Sequence, residues 1–171
     1  MIKLKTWFTA DTHFGHENII EHCNRPFKSV DHMDRTLIQL WNSRVKKHDL
    51  VIHLGDFMFR GLRKREYYLD QLNGHITFLK GNHDHNNSLN TKITSLVVHI
   101  SNLDIYCTHK PEDYSSSYTI NLVGHVHNAW KVKKIYNTYL VNVGVDVWDY
   151  HPIDINEILK AIKEYDQKLN V

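Results

Sequence analysis

The sequence predicts an α/β fold in a single domain over residues 1–171, and three observations point to it. The first half alternates short apolar segments with amphipathic ones in the order β-α-β-α-β, which is typical of strands that pair in parallel. The second half contains a series of short apolar segments separated by polar turns, which predicts further strands. A long amphipathic segment ends the chain and predicts a closing helix.

The first half is predicted to contain three strands and two helices. The strands are residues 4–10 (LKTWFTA), 50–54 (LVIHL) and 75–79 (HITFL). Residues 30–45 carry apolar side chains at helical spacing, with Asp31 near the start, and predict an amphipathic helix. A second helix is predicted at residues 64–74, where Asn73-Gly74 is a common stop signal.

The second half is predicted to be richer in strands. Two strands are expected within residues 95–108, and others within 118–124, 131–136 and 138–148. The closing helix is predicted within residues 152–169. Asp154 is a good N-cap for it, and Glu157, three residues later, completes a capping box.

The composition limits the classes of function. The chain is 42% hydrophobic and 23% charged, which is ordinary for a globular protein. No apolar run approaches the roughly 20 residues that span a bilayer, so no membrane partner is expected. Two cysteines without metal or redox spacing indicate a reduced, cytoplasmic protein. A net charge of +2 does not by itself predict nucleic-acid binding, whereas 14 histidines favour a metal or acid–base site.

Polar groups follow five of the predicted strands at their C-terminal ends. They are Asp11, His13 and His16; Gly55 and Asp56; Gly81, Asn82, His83 and Asp84; His109; and Gly124, His125 and His127. In α/β sheets this edge is where ligands bind. Asp-x-His and His-x-His also place two ligating atoms on one side of an extended segment. The pattern therefore predicts a metal site at the edge of the sheets.

The predicted donor set is too large for one tetrahedral zinc ion. About seven nitrogen and oxygen ligands suit two divalent ions of higher coordination number. Asp56 offers two oxygens and can bridge two cations, and Asn82 adds a neutral oxygen. Two ions about 3.5–4 Å apart form the clamp that is used for in-line attack at phosphorus.

These residues form a series that resembles a known family. Asp11-Thr-His13, Gly55-Asp56, Gly81-Asn82-His83-Asp84, His109 and Gly124-His125-Val-His127 resemble the motif series of the calcineurin-like metallophosphoesterases. The flanking HFGHENII, NRPF and VGVDVWDYHPI segments resemble its small single-domain members from bacteria and phages. The resemblance implies a four-layer αββα sandwich, in which two mixed sheets are flanked by helices and the metals lie between loops at one edge.

The resemblance also implies a role for each ligand. Asp11, His13 and His127 would hold one metal, Asn82, His109 and His125 would hold the second, and Asp56 would bridge them. Manganese is the expected ion, with nickel, iron, zinc or magnesium as alternatives.

Four further residues receive expected roles from the same resemblance. His83 would assist the leaving group, and Asp84 would orient His83. His16 fits the HFGH pattern as a substrate contact, against the alternative of a solvated loop histidine. Arg25 is a candidate for binding a substrate phosphate, against the alternative of a surface arginine beside a turn-forming proline.

The expected function is hydrolysis of phosphate esters by in-line attack of a hydroxide that bridges two metals. Phosphodiesters or nucleotide-like substrates, including a nucleic-acid end, are favoured over phosphoproteins, because GDFMFRG replaces the Asp-Arg-Gly sequence of the protein phosphatases. A phosphomonoesterase and a non-catalytic metal-binding scaffold of the same fold are the alternatives. The oligomeric state is left open.

Overall fold

The computed structural model describes residues 4–84, 89–100 and 102–169. Its first half forms a three-stranded sheet of β1 (Thr6–Thr9), β2 (Leu50–His53) and β3 (His75–Phe78), in that order. Both pairs are parallel, with Thr6 opposite Leu50 and Leu50 opposite His75. The parallel pairing that the alternating pattern predicted is therefore confirmed.

The second half forms a five-stranded mixed sheet in the order β4-β5-β6-β8-β7. Its strands are β4 (Ser95–Ile100), β5 (Leu103–Thr108), β6 (Ile120–Val123), β7 (Val132–Ile135) and β8 (Thr138–Asn142). The central pairs β5-β6 and β6-β8 are parallel, whereas β4-β5 and β7-β8 are antiparallel hairpins. The last predicted strand is shorter than expected, because the chain turns into a 3₁₀ helix at Val145–Val147.

Four α-helices accompany these sheets in the described ranges, namely α1 (Ile19–His22), α2 (Val30–Arg44), α3 (Arg65–Leu69) and α4 (Ile155–Leu169). The sequence did not predict the short helix α1. None of these helices is both long and apolar enough to cross a membrane.

Helix α3 ends five residues before the predicted stop at Gly74. The backbone of Asn73 is used by α2 instead: its carbonyl accepts from Trp41 Nε1 at 2.9 Å, and its N–H donates to Asn42 Oδ1 at 2.8 Å. These tertiary bonds use backbone groups that a longer helix would need for its own turns.

The capping box of α4 forms as predicted. Asp154 Oδ1 accepts from the backbone N–H of Glu157 at 3.2 Å, and Glu157 Oε2 accepts from the N–H of Asp154 at 3.1 Å. This reciprocal pair satisfies two backbone donors that the first turn would otherwise leave without partners.

Two apolar clusters pack the layers together. Trp7 and Val51 face Trp41 of α2 on one side of the three-stranded sheet. The neighbouring side chains of β1 and β2 point the other way, since successive strand residues alternate, and they pack with residues of the five-stranded sheet and α4. The fold is thus two sheets flanked by helices, and the loops after β1, β2, β3, β5 and β6 meet at one edge.

Candidate metal centre

The loops after five strands bring their polar side chains into one buried site. Asn82 Oδ1 lies 2.9 Å from His109 Nε2 and 2.7 Å from His125 Nδ1. Asp11 Oδ2 accepts from the backbone N–H of His125 at 2.9 Å. These four residues are far apart in the chain. They meet because the strands that precede them end at the same edge of the two sheets.

Within the part of the chain that the structure describes, two groups of possible metal ligands lie next to each other. One group is Asp11, His13 and His127, and the other is Asp56, His109 and His125, each with ligating atoms within 4.8 Å of one another. The oxygen of Asn82 lies against the second group. The structure thus brings together all seven predicted ligands.

Three buried atoms of these groups have no hydrogen-bond partner. They are Asp11 Oδ1, His13 Nε2 and Asp56 Oδ2. A buried polar atom without a partner costs about 1–3 kcal/mol, so such atoms are uncommon in folded proteins. Two carboxylate oxygens and an imidazole nitrogen are also the donors that divalent ions accept. The site therefore fits the metal ions that the donor set predicts.

Burial controls the protonation of the ligands. It raises the pKa of Asp11 from 3.8 to about 6, although His109 and His127 lower it. It lowers the pKa of His13 from 6.5 to about 2, which leaves a neutral ring with a free lone pair. Burial also raises the pKa of Asp56, but the His109 and His13 rings outweigh this and hold it well below its ordinary value. Metal ligands need these deprotonated forms.

The backbone at the ligands is strained. Positive φ angles occur at Asp11 (57°), His13 (50°), Asp56 (56°), His125 (70°) and His127 (46°). The left-handed region is uncommon for residues other than glycine and costs roughly 1–2 kcal/mol each. Strain of this kind is concentrated at functional sites, where the surrounding structure enforces it.

One glycine is required by the close approach of two loops. A Cβ at position 124 would lie 2.6 Å from Asp11 Oδ2 and 2.8 Å from Ala10 Cβ. Only glycine therefore lets the loop after β6 pass directly beside the carboxylate.

A comparison with known proteins agrees with this geometry. The model of the calcineurin-like phosphoesterase family matches residues 4–161. The chain belongs to this family. It is accordingly a metal-dependent phosphoesterase, a hydrolase that acts on phosphoric ester bonds.

The proteins that are similar to this phosphoesterase match most of its length. An uncharacterized protein of Methanocaldococcus jannaschii is 34% identical over 170 residues, covering 94% of this chain and 92% of that protein. The gene 66 protein of Mycobacterium phage L5 is 25% identical over 181 residues, covering 84% and 87%. A solved structure of an Aquifex aeolicus protein of unknown function is 26% identical, with a TM-score of 0.74, covering 93% of this chain and all of that one.

Asp84 fixes the backbone of two loops at the site. Its carboxylate accepts from the backbone N–H groups of Asp56 at 2.7 Å, Gly81 at 2.8 Å and Phe57 at 3.3 Å. These bonds join the loop after β3 to the loop after β2. The role of Asp84 in orienting His83 stays a prediction, and the structure adds that Asp84 holds the backbone of both loops.

His83 and His16 lie together beside the predicted metal ligand His13. The His83 ring centroid is 5.3 Å from that of His13, and its backbone N–H donates to Asp56 Oδ1 at 2.8 Å. His16 Nδ1 lies 3.3 Å from His13 Nδ1, so it contacts a ligand ring as well as the open side of the site. Burial lowers the pKa of His16 to about 4.

Arg25 does not face the substrate side. Its side chain is fully buried, and its guanidinium binds Asp146 with distances of 2.8 and 3.0 Å. This corrects the expectation of a phosphate contact, because the guanidinium is already engaged by a carboxylate and by backbone carbonyls.

Asp146 is the site residue that sequence reasoning missed. Its Oδ2 accepts from Nδ1–H of His127 at 2.9 Å. Burial lowers the pKa of His127, but the hydrogen bonds to Asp146 and Cys23 and the nearby Asp11 outweigh this and raise the pKa to about 10. The sequence signal was the VGVDVWDYHPI segment, which resembles the family, but its first part was interpreted as a strand.

A cleft of about 580 Å³ opens beside the first ligand group. Phe59 forms an aromatic wall, with ring centroids 4.5 Å from His16 and 5.1 Å from His83. Among the described residues that line the cleft, none is a lysine or an arginine. The open side of the first ligand group is therefore aromatic and histidine-rich, whereas Lys80 and Lys110 line a second cleft beside Asn82 and His109.

Proposed function

We propose that this phosphoesterase binds two divalent ions, most suitably Mn²⁺, and hydrolyses phosphodiesters. One observation supports the binding of two ions. Asp56 Oδ2 lies 3.7 Å from His13 Nε2 of the first group and 3.3 Å from His109 Nε2 of the second, and it makes no hydrogen bond. A buried carboxylate oxygen between two ligand groups is the position that a bridging ligand occupies.

Different residues of the chain have different roles in such a reaction. When bound, a pair of divalent ions lowers the pKa of water and neutralises charge on phosphoryl oxygens. His83 is half-buried at the cleft beside His13, where it can donate a proton to a departing alcohol. Asp84 holds the loops of Asp56 and His83 together, and His16 fixes the His13 ring through Nδ1.

The uncharged lining of the cleft beside the first ligand group favours diesters over monoesters. A monoester carries up to two negative charges and an exposed phosphoryl group, which lysine or arginine side chains commonly bind. The cleft lining contains neither among the described residues. Its aromatic wall, formed by Phe59 with His16, suits a second ester group with an apolar or planar face, as in a nucleotide-like substrate.

The test compares paired chromogenic substrates. Chelator-treated protein is assayed with bis-p-nitrophenyl phosphate and p-nitrophenyl phosphate after addition of Mn²⁺, and in parallel with Ni²⁺, Fe²⁺, Zn²⁺ or Mg²⁺. We expect kcat/KM for the diester to exceed that for the monoester by about tenfold or more, a difference of transition-state stabilisation. An Asp56→Asn variant serves as the control, since it alters the ligand that both groups share.

Each other outcome counts against a stated part of the proposal. Preference for the monoester would refute the diester assignment and support a phosphomonoesterase. Activity on neither substrate with any of the five ions would favour a non-catalytic scaffold. Full activity of the Asp56→Asn variant would refute the bridging position.

A further inference from the structure

Arg25 is a buried cation that holds the backbone of the first ligand loop. Its Nη2 donates to the carbonyl of Asp11 at 2.7 Å, and its Nη1 donates to the carbonyl of Thr12 at 3.0 Å. Asp11 and His13, on either side of Thr12, have left-handed backbone angles. The two bonds therefore restrain a strained segment that carries two metal ligands.

The same guanidinium also binds a carboxylate that orients a third ligand. Arg25 Nε donates to Asp146 Oδ1 at 2.8 Å, and Nη2 donates to Oδ2 at 3.0 Å. Asp146 Oδ2 in turn accepts from Nδ1–H of His127 at 2.9 Å. A metal-binding imidazole commonly donates its second N–H to a carboxylate, which fixes the ring orientation and the tautomer. Nε2 of His127 is then the nitrogen left for an ion.

Asp146 is better explained as a support than as a metal ligand. Cys23, His127 and Asp146 have ligating atoms within 4.8 Å of one another, so they could form a further ion site. Both oxygens of Asp146 are engaged by Arg25, however, and a guanidinium cannot lose its proton in a protein. The negative charge of Asp146 is therefore already paired with Arg25. A metal ion placed there would add a positive charge that no further carboxylate of this group balances.

All of these contacts reach the first ligand group, of Asp11, His13 and His127. None of the hydrogen bonds of Arg25 or Asp146 in the described ranges goes to the second group, of Asp56, His109 and His125. His109 is oriented differently, since its Nδ1–H donates to the carbonyl of Leu54 at 2.7 Å.

We infer that Arg25 and Asp146 are a positioning pair for one of the two metal ions, the ion held by Asp11, His13 and His127. This inference rests on the proposed two-ion function. Loss of either residue weakens the first ion selectively and leaves the second ion in place, which a general loss of stability would not do.

The test measures the affinity of each ion separately. Chelator-treated wild-type, Arg25→Lys and Asp146→Asn proteins are titrated with MnCl₂ by equilibrium dialysis, with bound manganese counted by mass spectrometry. We expect wild type to bind two ions. In both variants one ion should bind about 10–100-fold more weakly, while the other keeps its wild-type affinity, as found when supporting partners of metal ligands are removed.

Arg44→Lys is the matched control. Arg44 also forms an arginine–carboxylate pair, with Glu157 at 2.7 Å, and also donates to a carbonyl, that of Pro152, but none of these groups belongs to the metal site. It should bind both ions with wild-type affinity. Far-ultraviolet circular dichroism and urea unfolding of the metal-free proteins establish that each variant is folded.

The outcomes separate this inference from the proposed function. Wild type that binds fewer than two ions refutes the two-ion proposal and the inference with it. Two ions in wild type with unchanged affinities in both variants refute the inference alone. Equal weakening of both ions, or failure of both variants to fold, would make the pair a general structural element and would also overturn the inference.

Discussion

Asp11→Asn should stabilise the metal-free protein at neutral pH while weakening its stabilisation by metal. Asp11 has no exposed surface, and burial raises its pKa from 3.8 to about 6. The folded state therefore holds the carboxyl proton more tightly than the unfolded state does. Stability from Asp11 is fully present below about pH 4 and is lost as pH rises to about 6, where ionisation in the buried site becomes unavoidable.

The size of the effect follows from the two pKa values. The rise from 3.8 to about 6 corresponds to about 3 kcal/mol of unfolding free energy lost at pH 7. Asparagine carries no charge, tolerates the φ of 57°, and can still accept from the N–H of His125. Its new N–H₂ group replaces an oxygen that has no partner and costs about 1–2 kcal/mol. A net gain of about 1–2 kcal/mol remains at pH 7.

Urea unfolding of chelator-treated proteins at pH 7 and near pH 4 measures this difference. The variant should be the more stable protein at pH 7 and the less stable one near pH 4, where the carboxyl of wild type is protonated. Mn²⁺ should stabilise wild type more than the variant, by about 2.7 kcal/mol for the ion lost when its concentration is a hundredfold above Kd. Asp70→Asn, on the surface, should change stability by less than about 0.5 kcal/mol. A variant less stable than wild type at pH 7 would refute the reasoning.

Three further changes test other parts of the structure. His83→Ala should lower kcat by about 10²–10⁴ on a diester with a poor leaving group and leave the bound manganese unchanged, whereas full turnover would show that His83 is not the proton donor. Gly124→Ala places a Cβ 2.6 Å from Asp11 Oδ2, so manganese affinity in equilibrium dialysis should fall, and unchanged affinity would show that the loop can shift. Asp154→Ala removes the N-cap of α4 and should cost about 1 kcal/mol in thermal unfolding without changing kcat, and an unchanged melting temperature would contradict the capping role.

Local patterns predicted the parts of the molecule that depend on neighbouring residues. The capping box of α4 needs only Asp154 and Glu157, which are three positions apart, and it formed as expected. The three strands were predicted from short apolar runs, and their parallel pairing was predicted from their alternation with helices. The predicted ligands come together because the loops after these three strands and after β5 and β6 meet at one edge.

The features that were missed depend on contacts between distant segments. Arg25 and Asp146 are 121 positions apart, and neither lies in a spacing pattern that marks a ligand. A buried ion pair of this kind leaves no periodic signal, so Arg25 was interpreted as a phosphate contact or a surface arginine, and Asp146 as part of a strand. Helix α3 was overextended for the same reason, because the α2 side chains that bind Asn73 are about 30 residues away in the sequence.

Two of the predicted ligands combine backbone strain with restraint from outside their own loops. Asp11 and His127 are in the left-handed region, and Asp11 also bears the cost of a buried charge. Strand hydrogen bonds do not offset either cost, because β1 ends before Asp11 and β6 ends before His127. The bonds of Arg25 to the Asp11 carbonyl and to Asp146 come from outside both loops and restrain the two ligands together. A site held in this way keeps its geometry before an ion arrives, so little binding energy is lost to ordering the ligands.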